Sequence, residues 1–144
     1  MSSTEANRIP IIKLWNLLLV PLQGMIDDSV AEQLSQDVLK RIQASEVTGL
    51  IMDVTGLWLM DSHLCAVLSR IASAALLMGT RTVICGMSPE IALTLQTMGL
   101  ELANVRTELM LEQALERLGV TMLGRDEESD DWAEAATSFN GDQR

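Results

Sequence analysis

The sequence predicts an α/β domain in which a mixed sheet of four or five strands is covered by about four helices. Three observations support this prediction. The chain has 144 residues, of which 48% are hydrophobic, and this is enough for one domain with a buried core. Short apolar runs alternate with segments of helical periodicity, which indicates parallel strands joined by helices. Two apolar runs stand side by side at the start, which adds an antiparallel pair.

The first segment, Ile9–Leu22, reads IPIIKLWNLLLVPL. Its apolar residues form two runs broken at Asn16, a pattern that predicts two strands joined by a tight hairpin. Pro10 and Pro21 lie near the ends of the runs. Because proline cannot donate to a strand ladder, we expect both residues at strand edges and not at strand centres.

A first helix is predicted to open at Asp27–Ser29, where carboxylates can accept free N–H groups and complement the helix dipole. Apolar residues then recur at helical spacing, namely Val30, Leu34, Val38, Leu39 and Ile42. Gly49–Thr55, which follows, is a short apolar run with β-branched members. Such a run is typical of a strand buried on both faces.

The second half of the domain repeats this alternation. A second helix follows Asp61-Ser62 and ends at Gly79, with an apolar stripe of Leu64, Val67, Leu68, Ile71, Ala75 and Met78. The strand Arg81–Cys85 precedes a third helix that starts at Ser88-Pro89-Glu90. A weaker strand around Leu102–Val105 leads into a last helix that bears Leu111, Leu115 and Leu118 and ends at Gly119.

The net charge of -10 argues against nucleic acid and against anionic membrane surfaces as partners. Between Arg125 and Arg144, seven acidic residues stand against two arginines, so half of the excess lies there. We therefore divide the chain into a domain over 1–119 and an acidic, disordered tail over 120–144. Neither a secretion signal nor a membrane-spanning apolar run is visible, so we expect a soluble cytoplasmic protein.

Residues for catalysis are scarce. The chain has one histidine, His63, and two cysteines, Cys65 and Cys85, that are too far apart for a CxxC metal motif. Ser62 and His63 are neighbours at a helix start and cannot face one another as a nucleophile and its base. The glycines form no phosphate-binding loop. We therefore expect a protein that is not an enzyme and holds neither a metal nor a cofactor.

The segment Leu57–Leu64, LWLMDSHL, lies where a strand passes into the second helix. The simpler interpretation is that Asp61 or Ser62 caps this helix. A second interpretation starts from the same geometry, because a hydroxyl at a helix start is exposed and the free N–H groups accommodate a phosphate. Phosphorylation would add about -1.5 to -2 charge beside Asp61 and would change a docking surface at once. The two roles are compatible.

The span from Ile9 to about Leu118 resembles the STAS domain, a family named for sulfate transporters and anti-sigma-factor antagonists. The resemblance is carried by IPIIKLWNLLLVPLQ, IDDSVA, IMDVTGLWLMDS, LLMGTRTVICGMSPEIALTLQTMGL and LEQALERL. Within the family the chain is most similar to the RsbS type, the small scaffold of the stressosome. Free antagonists usually continue with Ser/Thr-Gly-Leu after the serine, whereas this chain has His63-Leu64, as the stressosome type does.

The resemblance implies that Ser62 is phosphorylated by an RsbT-type serine kinase, which binds the unphosphorylated form, and that a phosphatase restores the serine. It also implies self-association and co-assembly with an RsbR-type STAS paralogue. Magnesium and ATP would be held by the kinase. We expect docking contacts from loops on the Ser62 edge of the sheet, namely Asp61, His63, Leu64, Asp27, Asp28, Met87, Ser88 and Pro89.

Two other functions stay open. One is a free antagonist that binds an anti-sigma factor directly, with the same fold and the same switch. The other is a STAS module that binds a nucleotide or another small ligand. Equilibrium binding of labelled GTP and ATP distinguishes this second alternative from a docking switch.

Overall fold

In the computed structural model, which describes residues 8–119, five strands form one sheet in the order β1-β2-β3-β4-β5. The strands are β1 (Ile12–Leu14), β2 (Leu17–Gly24), β3 (Gly49–Leu57), β4 (Arg81–Cys85) and β5 (Val105–Glu108). β1 and β2 are antiparallel, and every other neighbouring pair is parallel. The predicted mixed α/β sheet is confirmed. The predicted tail over 120–144 lies outside the described residues.

Four helices cover this sheet: α1 (Asp28–Ala44), α2 (Ser62–Leu77), α3 (Pro89–Thr97) and α4 (Leu111–Arg117). Helices α1, α2 and α3 contribute to one large buried cluster, in which they meet Leu50 and Met52 of β3. Helix α4 covers the other face, where its Ala114 packs with Ile51 and Val83. Successive residues of β3 are thus buried on opposite faces, as its continuous apolar run predicts.

The predicted hairpin is present, with Trp15 and Asn16 in its turn and Trp15 at a φ of 54°. The expectation for Pro21 is wrong, because this residue lies inside β2, at a register shift between Pro21 and Gln23. β1 pairs only with Leu17–Leu19. Pro21 therefore lies beyond the end of that ladder, where its missing N–H leaves no strand partner unsatisfied.

The last strand begins three residues later than the sequence predicts, at Val105 instead of Leu102. Asn104 adopts a φ of 62°, which belongs to a turn and not to a strand. Pairing with β4 consequently starts where Val105 meets Thr82.

Parallel strands place their carboxyl ends at a common edge of the sheet, and here the ends of β2, β3, β4 and β5 share one edge. Helices α1, α2 and α3 start from the loops at this edge, which we call the Ser62 edge. The turn at Trp15 precedes β2 and therefore lies at the opposite edge. Within residues 8–119, no helix combines the length and the hydrophobicity needed to cross a membrane.

Candidate functional site

Helix α2 begins with a carboxylate cap followed by an exposed serine. Asp61 has extended backbone angles, and its Oδ1 accepts the backbone N–H of Leu64 at 2.8 Å. Ser62 is the first residue of the helix, and its side chain is exposed. Of the two caps that the sequence allows, the structure therefore selects Asp61. Within residues 8–119 the Ser62 hydroxyl makes no hydrogen bond.

Helix α1 begins in the same way. Oδ1 of Asp27 accepts the backbone N–H of Val30 at 2.9 Å and the hydroxyl of Ser29 at 3.0 Å. These hydrogen bonds, the one from Val30 foremost, lower the pKa of the Asp27 carboxyl because they stabilise its charged form. Asp27 is therefore a carboxylate at neutral pH, with its charge directed at the start of α1.

The two helix starts meet at a cleft of about 700 Å³. It is lined by Met25, Ile26, Asp27, Asp28, Ser29, Leu59, Asp61 and Leu64. The cleft therefore unites four of the predicted docking residues. Of these, Leu64 is only 2% exposed and belongs to the core. Three carboxylates and no basic side chain are found among the lining residues, so the cleft combines an apolar floor with negative charge.

His63 is directed at α1 and not at the open cleft. Its Nε2 lies 3.3 Å from Oε2 of Glu32 and 3.9 Å from Oδ1 of Asp28. Glu32 also accepts a hydrogen bond from Nη2 of Arg70 at 2.8 Å. When protonated, the imidazole is thus an ion-pair partner between α1 and α2. Its role as a docking contact stays a prediction.

The predicted docking residues Met87, Ser88 and Pro89 follow β4 at the same edge of the sheet. Ser88 caps α3 by accepting the backbone N–H of Ile91 at 3.1 Å. None of the three lines the cleft. The predicted docking surface is therefore divided between the cleft and a neighbouring loop.

Three exposed apolar residues at this edge were missed by the sequence analysis. Trp58, Met25 and Leu59 are 74%, 65% and 45% exposed. Met25 and Trp58 directly follow β2 and β3, and Leu59 is the next residue after Trp58. A tryptophan placed just beyond a buried strand is the signal that could have indicated them.

A second polar group lies at the end of β4, where Cys85 pairs with Asp53 of β3. Oδ1 of Asp53 accepts both the hydroxyl and the backbone N–H of Thr55, at 2.6 and 3.0 Å. Burial, together with the charge of Asp53, raises the pKa of the Cys85 thiol to about 12. Such a thiol is not nucleophilic at neutral pH. Residues 8–119 contain no group of three His, Cys, Asp or Glu side chains that could hold a metal ion.

Comparison with known proteins agrees with this architecture. The sequence model of the STAS domain matches residues 7–114, so the chain belongs to the STAS domain family. Among curated relatives, the RsbT co-antagonist protein RsbRD of Bacillus subtilis is 33% identical over 101 residues, which cover 70% of this chain and 36% of RsbRD. RsbRB of the same organism is 30% identical over 107 residues, covering 74% of this chain and 39% of RsbRB. The chain thus spans about two fifths of these relatives.

Several solved structures have a similar fold. A serine-to-glutamate variant of RsbS from Moorella thermoacetica is 32% identical, with a TM-score of 0.68, over 77% of this chain and 94% of RsbS. A chain of a stressosome assembly is 30% identical, with a TM-score of 0.64, over 76% of this chain and 95% of that one. The anti-sigma factor antagonist SpoIIAA, in its unphosphorylated form, has a TM-score of 0.66 over 80% of this chain and 99% of its own, at 20% identity, and so shares the fold.

Proposed function

We propose that this chain is a non-enzymatic scaffold and docking switch of a stressosome-type signalling complex, with Ser62 as its phosphate acceptor. The observation that carries the proposal is the exposed Ser62 hydroxyl, which has no hydrogen bond within residues 8–119 and directly follows the Asp61 cap at a cleft. The identities of 30 to 33% to RsbR-type and stressosome proteins support the same role.

The switch works by adding a charged phosphoryl group to Oγ of Ser62. In the transfer, Oγ of Ser62 forms a bond to the γ-phosphorus of ATP, and the bond from that phosphorus to the bridging oxygen breaks. ADP departs with the bridging oxygen, and a base of the kinase takes the hydroxyl proton. The product adds about -1.5 to -2 charge next to Asp61. A kinase shaped to the neutral hydroxyl then loses its contact and is released.

The partners follow from the same proposal. An RsbT-type serine kinase is held by the unphosphorylated surface, an RsbR-type STAS paralogue co-assembles with this chain, and a phosphatase restores Ser62. The chain also associates with itself in the assembled complex. The kinase supplies magnesium and ATP, so the chain needs no cofactor of its own. All of these reactions would take place in the cytoplasm.

Phosphorylation of the purified chain by its RsbT-type kinase, with ATP and magnesium, tests the proposal. Intact-mass and fragment-ion analysis should find one phosphoryl group, located on Ser62, and no modification of Ser62→Ala. Full modification of Ser62→Ala would contradict the proposal.

Three serines serve as internal controls because their hydroxyls are already engaged. Ser69 donates to the carbonyl of Glu101 at 3.4 Å, and Ser73 accepts from Asn104 at 2.8 Å. Ser88 accepts the backbone N–H that caps α3. We expect none of the three to be modified.

A further inference from the structure

We propose that Trp58, with Met25 and Leu59, is the apolar anchor of the docking surface, and that the partner meets it with an apolar side chain flanked by lysine or arginine. This inference rests on the proposed docking function and adds the chemistry by which the partner is recognised.

The geometry brings the three residues together. Gly24 and Leu57 are the last paired residues of β2 and β3, and the N–H of Trp58 donates to the carbonyl of Gly24 at 2.9 Å. Met25 and Trp58 are the residues that follow this pair, so their backbones leave the sheet side by side. Leu59 comes next in the chain and lines the cleft with Met25. Met25 and Leu59 therefore supply apolar side chains to the cleft, and Trp58 leaves the sheet next to Met25.

All three residues of this surface are exposed to solvent. Trp58 is 74% exposed and Met25 is 65% exposed, although each directly follows a strand whose other residues are largely buried. Contiguous exposed apolar side chains mark interaction sites in soluble proteins. Tryptophan is also enriched among the residues that dominate interface affinity, because it offers a large and rigid contact area.

Charge selects the kind of partner. Asp27, Asp28 and Asp61 line the cleft without a basic neighbour among its lining residues. A second copy of the chain that docked through the same edge would bring the same carboxylates and would be repelled, and so would nucleic acid or an anionic membrane. A surface with an apolar centre and basic flanks is complementary to this edge.

Phosphorylation of Ser62 acts on such a partner through the bulk and the hydration of the phosphoryl group, because its added negative charge by itself would attract the basic flanks. Closing the apolar contact over the phosphoryl group would require removing its hydration shell, which is costly wherever no cation of the partner meets it.

Titration of the RsbT-type kinase, without ATP, into wild type and variants tests this inference. Trp58→Ala should weaken binding about 10- to 100-fold, the effect expected of an anchor residue. The matched control is Trp15→Ala, because Trp15 is 72% exposed but lies at the opposite edge of the sheet. We expect this control to bind within about twofold of wild type. Met25→Ala is a second test, should Trp58→Ala lose its far-ultraviolet circular dichroism.

Salt tests the charge component. Raising sodium chloride from about 50 to about 300 mM should weaken the binding of wild type, and Asp28→Asn should reduce this dependence. If Trp58→Ala and Met25→Ala bind the kinase as tightly as Trp15→Ala, these residues are not the apolar anchor, and the proposed docking switch is unaffected. If binding does not weaken with salt, the basic flanks are overturned. If the kinase does not bind wild type, the proposed function and this inference both fail.

Discussion

Asp61 caps helix α2 through a 2.8 Å hydrogen bond from the backbone N–H of Leu64, and this leaves the hydroxyl of the adjacent Ser62 free of the capping role. The helix cap and the proposed phosphate acceptor are therefore two neighbouring side chains. Phosphorylation of Ser62 can consequently change the surface without removing the hydrogen bond that starts the helix.

The first prediction separates these two roles by stability. Asp61→Ala should lower the free energy of unfolding by about 1 kcal/mol, because it removes the cap. Asp61→Asn keeps a capping oxygen and should change the free energy of unfolding little. Ser62→Ala should also lie within about 0.5 kcal/mol of wild type, because the exposed hydroxyl makes no bond in the described part of the chain. Urea denaturation measures the free energy of unfolding of all three variants. If Ser62→Ala loses as much of it as Asp61→Ala, Asp61 is not the residue that caps α2.

The second prediction concerns Gly86, which joins β4 to the loop before α3. It has a φ of 82°, and an added Cβ would overlap Oγ1 of Thr55. Gly86→Ala should therefore cost more than the roughly 1–2 kcal/mol of placing alanine in this backbone region. Gly79→Ala is the control, because Gly79 has a φ of 91° and open space around the added Cβ. Equal losses of unfolding free energy in the two variants would show that Thr55 moves aside freely.

The third prediction follows from the pKa of Asp27, which the N–H of Val30 and the hydroxyl of Ser29 hold below its ordinary value. A lowered pKa in the folded state contributes stability above the unfolded pKa of about 3.9, and this is lost as pH falls through the folded value. Asp27→Asn caps the helix but does not titrate. The stability difference between wild type and Asp27→Asn should therefore shrink on acidification. Urea midpoints between about pH 5 and about pH 2 measure it, and a constant difference would contradict the assignment.

The fourth prediction uses the Cys85 thiol, whose pKa burial raises to about 12. A raised pKa contributes stability below the unfolded pKa of about 8.5, and this stability is lost as pH rises toward the folded value. Wild type should therefore lose stability relative to Cys85→Ala as pH increases above about 8.5. Urea midpoints across this range measure the difference. If wild type instead becomes more stable relative to Cys85→Ala as pH rises, the pKa of the Cys85 thiol is not raised.

Much of this fold could be predicted because its elements depend on local patterns. The hairpin at Asn16, the helix starts at Asp27–Ser29 and Asp61-Ser62 and the buried strand β3 are each recognisable from a short segment. What could not be predicted depends on tertiary contacts. The tolerance of Pro21 requires knowing where β1 ends, since only the paired part of β2 needs a donor.

The candidate site was predicted unevenly for the same reason. Ser62 and Asp61 are adjacent in sequence, so their relationship is local. His63 and Glu32 lie on different helices, so their proximity depends on how α1 and α2 pack. The sequence places Trp58 at a strand-to-helix junction, but its exposure depends on tertiary packing that a local pattern does not show.

The most direct test of the account compares how tightly the RsbT-type kinase is held before and after Ser62 is phosphorylated. Assembled complexes containing wild type, enzymatically phosphorylated wild type, Ser62→Ala or Ser62→Asp are sedimented with the kinase, and the bound fraction is measured. We expect wild type and Ser62→Ala to retain the kinase. Phosphorylated wild type should lose affinity by roughly 5- to 150-fold, and Ser62→Asp should lose less because it carries less charge. If phosphorylated wild type retains the kinase as tightly as the unmodified protein, Ser62 is not the release switch.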